Sequence, residues 1–346
     1  MDITEEMSGI ELARHYYVDV VGPVLTAWRP DLPYAAARLG SGSDVLGLDD
    51  ATSRDHDWGL RLTLLVGADD VAAVDEHLAE ALPETYRGLP TRFATTWEPV
   101  VRHRVEVATA AEFARSRLGI DATRELAAAD WLALTGQSVL EVTAGAVFVD
   151  GPGEITALRE RLRWYPHDIW LRVLAAEWER LGQELQFVGR TGSRGDDLGS
   201  RVLAARLVGS VMRLGLLLER RWPPYPKWLG TAFSATPSAE SAGEPLARAL
   251  AATTWQERDS ALAAACDAVL ERQRVIGLPA PEGPATEPFY GRPYRGVRDV
   301  PKALREVAGD GAALRAVEQW VDGVDILMDP ERRVRVSHAF RPAVSR

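Results

Sequence analysis

The sequence predicts an α+β protein, with an N-terminal mixed sheet and flanking helices followed by a C-terminal helical domain. Three observations predict it. The run Leu60 to Val66, LRLTLLV, alternates and is rich in strand formers. Beyond Gly153, apolar residues return every three or four positions in one segment after another, which is the helical period. A chain of 346 residues exceeds one ordinary core, since domains run to about 150 residues. The division expected is an α/β domain over 1–150 and a helical domain over 151–346.

In chain order, Ser8 to Trp28 carries apolar residues at helical spacing, with Ser8 and Glu11 placed as a capping box. Tyr34 to Leu39 reads as a strand, followed by a glycine-rich turn and the strand at Leu60 to Val66. Asp69 to Leu82 reads as a helix capped by Asp69 or Asp70 and stopped at Pro83, and Arg104 to Val107 as a short strand. Helices are expected over Glu154 to Trp164, Pro166 to Glu184, Leu198 to Arg221 and Thr253 to Ile276. The stretches Ser234 to Pro245 and Gly277 to Pro288 have the Pro, Gly and Ser content of mobile loops.

Composition narrows the function. With 46% hydrophobic and 26% charged residues the chain is an ordinary globular one, neither disordered nor fibrous. A single cysteine, Cys266, forbids a disulfide framework and a thiolate-rich zinc site, and fits a reducing cytoplasm. The net charge of -10 repels extended nucleic acid, so long DNA or RNA is an unfavourable partner while small anions in local pockets are not. The acidic start, MDITEEMSGIELARHYY, does not read as a signal peptide. The most apolar window, Leu203 to Leu218, contains Arg206 and Arg213 and suits a buried helix better than a membrane span.

The chemistry concentrates in Leu39 to Gly59, LGSGSDVLGLDDATSRDHDWG. Small residues in a turn after a strand, Gly40, Ser41 and Ser43, let backbone N–H groups approach an anion. Asp55 and Asp57, at i and i+2 of the next strand, would point to one side and converge on a hard cation such as Mg²⁺ (or Mn²⁺). Together they predict a phosphoryl-transfer site. Asp44, Asp49 and Asp50 are expected to solvate or cap the same loop.

At these residues the sequence resembles the nucleotidyltransferase superfamily that includes DNA polymerase beta. Its pattern is a Gly-Ser pair, nine to thirteen residues, then acid, apolar, acid; here Gly40 and Ser41 are followed by thirteen residues and then Asp55, His56, Asp57, with His56 in place of the apolar residue. The same family carries a third carboxylate on a later strand, and Val105, Glu106, Val107 is the match. The phrases DHDWG, DWLAL, YPHDIW, GDDLGS and WPPYPKW resemble the bacterial family called domain of unknown function 4037. The resemblance implies metal-dependent transfer of a nucleoside monophosphate from a triphosphate, ATP being the expected one, to a hydroxyl of a small molecule or a protein. It implies Asp55, Asp57 and Glu106 as metal ligands, with Glu106 doubling as general base.

Further phosphate contacts are expected from two cations. Lys227, one of only two lysines, follows a proline-rich turn, and Arg190 lies in FVGRTGSRGDDLG, Phe187 to Gly199, which reads as a glycine-containing loop whose Asp196 or Asp197 could cap the next helix. FYGRPYR, Phe289 to Arg295, is expected to dock on the core. A second class of function is a catalytically silent nucleotide-binding regulator or interaction protein of the same fold; pyrophosphate release separates the two.

Overall fold

The computed structural model describes residues 7–50, 52, 57–96, 98–309 and 315–339. The chain divides into two compact units, one of 1–126 with 138–163 and the other of 127–137 with 164–346.

The first unit opens with α1 (Gly9–Tyr16). The expected capping box is present: the Ser8 N–H donates to Glu11 Oε2 at 2.9 Å and the Glu11 N–H to Ser8 Oγ at 3.3 Å. The single long helix expected to Trp28 is interrupted by a π-helical turn, Tyr17–Val21, before α2 (Gly22–Trp28). Pro23 is the physical reason, because it lacks an N–H and its ring crowds the carbonyl one turn back. Strands β1 (Tyr34–Arg38) and β2 (Arg61–Val66) follow, then α3 (Val71–Ala81). Asp70 occupies the N-cap position of α3, but its carboxylate pairs with Arg29 at 2.6 Å instead of capping. Three two-residue strands, β3 (Thr85–Tyr86), β4 (Leu89–Pro90) and β5 (Arg92–Phe93), lead to β6 (Arg102–Ala108) and α4 (Ala110–Leu118). The chain then gives α5 (Ala128–Ala133) to the second unit and returns through α6 (Gly136–Thr143), which belongs to the first unit from Ser138 onward, to β7 (Ala146–Asp150) and α7 (Glu154–Arg161).

The sheet order is β5-β6-β2-β1-β7. β1 runs antiparallel to both β2 and β7, while β2 and β6 are parallel with Thr63 opposite Glu106. The mixed sheet that the sequence predicts is therefore present. A parallel pair needs a crossover, which α3 supplies. β2 is central and buried from Leu62 onward: Leu62, Leu64 and Val66 pack with Leu12 and Tyr16 of α1 and with Val74 and Leu78 of α3. That layer fixes the strand mouths from which the candidate site is built.

The second unit is dominated by α8 (His167–Gly192), α9 (Asp197–Leu218), α10 (Pro226–Ser234), α11 (Pro237–Ala251) and α12 (Trp255–Val275). A β8–β9 hairpin (Thr286–Pro288, Arg295–Val297), α13 (Val300–Ala308), α14 (Val324–Leu327) and α15 (Pro330–Ala339) complete it. The segment Ser234 to Pro245, expected to be a mobile loop, is mostly helix. Thr236 caps α11 by accepting the Ala239 N–H at 3.2 Å, Pro237 sits in the first turn where no N–H is needed, and Ala242 and Leu246 face the interior. Pro245 is accommodated inside this helix. Among the described residues no helix is long and apolar enough to cross a membrane.

Candidate functional site

The turn after β1 is built by arginine. Arg38, 3% exposed, donates through Nε to Asp44 Oδ2 at 2.7 Å and through Nη2 to Asp44 Oδ1 at 2.9 Å. The same guanidinium reaches the carbonyls of Leu39 at 2.5 Å and Ser41 at 2.9 Å, so it holds the turn from inside. Asp44 is thus a buried ion-pair partner and not the solvating loop acid expected. Asp49 does cap: its Oδ2 accepts the Gly9 N–H at 2.7 Å, at the start of α1. Gly40 has φ 84°, a left-handed conformation that favours glycine, and its N–H donates to the Glu141 carbonyl at 2.7 Å. Ser43 precedes a short 3₁₀ turn, Asp44–Leu46, without a side-chain cap; its carbonyl accepts from Leu46 and Leu48.

Asp57 does not lie on β2. It sits four residues before the strand with φ 57°, its Oδ1 accepts the Thr96 N–H at 2.6 Å, and its carbonyl accepts from Arg61 Nη1 at 3.3 Å. Alternation along a strand therefore does not set the direction of its carboxylate. Asp55 and His56 lie outside the described residues. Glu106 is on β6, which is flanked by β5 and so is not an edge strand. Its Oε2 accepts from Arg117 Nη2 of α4 at 2.5 Å, and Arg117 Nε stands 3.9 Å from Glu141 Oε2. Carboxylate oxygens are the donors that Mg²⁺ takes, so the chemistry of Asp57 and Glu106 fits such an ion. Among the described residues no three His, Cys, Asp or Glu side chains gather as a metal cluster.

Arg61 and Arg117 complete the site, and sequence reading missed both. Arg61, the first residue of β2, donates to Ser41 Oγ at 3.2 Å. Burial, followed by the nearby Arg38 guanidinium, lowers its pKa to about 10 despite Asp44 and Glu106, with Arg117 acting in the same direction as Arg38. Arg117 passes so close to Gly40 that a Cβ there would stand 3.2 Å from its Nη2. The signal for Arg61 was available: a single charged residue opening an otherwise uncharged strand, where lining a polar mouth is the natural use.

The remaining predicted cations belong to the second unit. Lys227 is an exposed residue in the first turn of α10, with Nζ 4.8 Å from the Trp228 ring centroid. Arg190 is in the last turn of α8 and not in a loop, its guanidinium 5.3 Å from the Phe187 ring centroid. Asp196 caps α9 as expected, accepting the Gly199 N–H at 2.8 Å. Gly189 and Gly192 are helical and serve close packing: a Cβ at either would overlap Tyr294 or Trp255. FYGRPYR docks through Tyr294, 8% exposed, while Tyr290 stands outward at 86% exposure.

Residues 131–229 match the family described as Domain of unknown function (DUF4037). Among solved structures, a nucleotidyltransferase-like protein from Exiguobacterium sibiricum is similar at 16% identity and a TM-score of 0.35, over 78% of this chain and 76% of that one. No curated protein matches the chain.

Proposed function

We propose that the protein is a metal-dependent nucleotidyltransferase that moves a nucleoside monophosphate from a triphosphate, ATP first among them, to a hydroxyl of a small molecule or protein. The observation that carries this reading is the meeting of the Gly40–Ser41 turn with Arg61, Arg117 and the Glu106 carboxylate at the mouths of β1, β2 and β6. Backbone N–H groups and guanidiniums receive phosphate oxygens, and a carboxylate beside them takes the proton of an attacking hydroxyl. Asp55, Asp57 and Glu106 are the residues assigned to Mg²⁺ or Mn²⁺. When bound, the ion neutralises charge on the transferred and departing phosphates. Lys227 and Arg190 are assigned further phosphate contacts, which Lys227→Ala against Lys302→Ala tests directly.

The deciding experiment incubates the full chain with each α-labelled triphosphate, Mg²⁺ and a cell extract. Label transferred to an acceptor with stoichiometric pyrophosphate release is the expected result. Triphosphate binding without pyrophosphate release would instead identify the silent nucleotide-binding regulator.

A further inference from the structure

Asp57 holds a backbone conformation that is uncommon for a residue with a side chain. Its φ of 57° lies in the left-handed region, and such a conformation persists where its surroundings fix it. The Thr96 N–H donates to its Oδ1 at 2.6 Å, and Arg61 Nη1 donates to its carbonyl at 3.3 Å. Two residues on, the Phe93 ring packs on Gly59 so closely that a Cβ there would stand 3.1 Å from it. Thr96 and Phe93 both belong to β5 and the connection that joins it to β6.

That connection is gathered by one side chain. Arg104 of β6, two residues before Glu106, donates through Nε to the Phe93 carbonyl at 2.7 Å and through Nη2 to the carbonyls of Glu98 at 3.0 Å and Val100 at 2.7 Å. Its Nη1 pairs with the Glu98 carboxylate at 2.9 Å, and its side chain is only 9% exposed. Between these anchors the turn closes on itself: the Thr95 N–H donates to the Glu98 carbonyl at 2.9 Å, and the Glu98 N–H to Thr95 Oγ1 at 3.1 Å. Apolar packing contributes little here, since Val100 and Val101 are 61% and 66% exposed. The guanidinium is therefore what keeps Thr96 opposite Asp57.

We infer that Arg104 is a positioning residue: by drawing the β5–β6 connection together it presents the Thr96 N–H to Asp57 and so sets the direction of the carboxylate assigned to the metal ion. Arginine suits this place because its planar fork spreads donors in fixed directions toward several acceptors, which the compact ammonium of lysine does not. Groups that orient a metal ligand without touching the metal change its affinity by roughly ten- to a hundredfold when lost. The inference rests on the assignment of Asp57 to Mg²⁺ or Mn²⁺, but the coupling of Arg104 to Asp57 is measurable without metal.

The test takes two readouts on the full chain. Hydrogen exchange of the Thr96 amide is followed by NMR without metal, and Mn²⁺ affinity is followed by loss of the free-ion EPR signal, counting only the binding that Asp57→Ala removes. Arg104→Met and Asp57→Ala should each speed exchange at Thr96 roughly tenfold or more, the loss of a charge-assisted hydrogen bond. Arg104→Met should also weaken Mn²⁺ binding roughly ten- to a hundredfold. Arg104→Lys keeps the charge and the stem, should fall between wild type and Arg104→Met, and carries the comparison if the methionine variant does not fold. Arg274 is the control, because it gathers the Pro281 and Gly283 carbonyls and the Glu271 carboxylate in the second unit; Arg274→Met should leave both readouts unchanged. Thr96 exchange that is unchanged in either the Arg104 or the Asp57 variants overturns the inference. Faster exchange in the Arg104 variants with Mn²⁺ affinity kept also overturns it, making Arg104 a structural residue only. If no Mn²⁺ binding depends on Asp57 while Thr96 exchange depends on both residues, the metal assignment falls and the positioning of Asp57 by Arg104 stands.

Discussion

Arg117 of α4 donates an N–H to the Glu106 carboxylate of β6 at 2.5 Å, so the acid assigned to catalysis is held by a cation that also overlies Gly40. The Glu106 side chain is 38% exposed and that of Arg117 21%, and ion pairs open to water in this way contribute about 0–1 kcal/mol. Glu106→Gln should therefore change the unfolding midpoint little while abolishing transfer, because an amide neither takes a proton nor neutralises a metal ion. Transfer assayed beside thermal unfolding gives both numbers. A Glu106→Gln variant with an undiminished rate of transfer would remove Glu106 from the site.

Gly40 and Ser43 separate the turn's geometry from its side chains. A Cβ at Gly40 would be strained at φ 84° by about 1–2 kcal/mol and would press on Arg117 at 3.2 Å. The Ser43 hydroxyl, by contrast, caps nothing in the 3₁₀ turn that follows. Gly40→Val should lose triphosphate affinity and stability together, and Ser43→Ala should lose little of either. Titration and chemical denaturation of the two variants check this; equal small effects would reduce the turn to a connection.

What the sequence made legible was what local pattern controls. The alternation of Leu60 to Val66 placed the central strand, and Ser8 with Glu11 placed the first cap. The Gly40–Ser43 turn was found because small residues after a strand have few other uses. Nonlocal charge pairing was invisible: nothing near Arg117 in sequence announces Glu106 eleven positions away, and nothing near Asp44 marks it as the partner of a buried Arg38. Asp57 was misplaced because a period-two argument assumes strand geometry, whereas its left-handed φ puts it in the bend before Arg61. Proline and glycine counts misjudged α11 and the end of α8, where Pro237 starts a helix and Gly189 and Gly192 let neighbours approach.

Those two glycines give a stability prediction opposite to propensity. Alanine inside a helix is better than glycine by about 1 kcal/mol. At Gly189 the new Cβ would overlap that of Tyr294, and at Gly192 that of Trp255, so Gly189→Ala and Gly192→Ala should each destabilise by about 1–3 kcal/mol. Gly209→Ala in α9, where a Cβ would meet nothing within 4 Å, should be neutral or stabilising. Urea denaturation of the three variants decides it, and stabilisation at all three positions would mean that the packing around α8 is loose.

Asp259 of α12 holds the β8–β9 hairpin by accepting the Arg295 N–H at 3.1 and 3.2 Å on its two oxygens, and it is 4% exposed. Burial raises its pKa from 3.8 to about 6, against the lowering effects of that hydrogen bond and of the Arg295 charge. A carboxyl whose folded-state pKa lies above its unfolded value binds its proton more tightly when folded. Its contribution is most favourable below about pH 3.8, declines as pH rises to about 6, and is constant beyond. Asp259→Asn keeps an oxygen for the Arg295 N–H and removes the titration. The variant should gain on the order of 1–3 kcal/mol relative to wild type at pH 7 and only about 0.5 kcal/mol at pH 4. Other ionisable groups titrate in both proteins, so the difference between the two denaturation curves isolates this carboxyl. A difference that is the same at both pH values would show that Asp259 is as ionised inside the fold as in the unfolded chain.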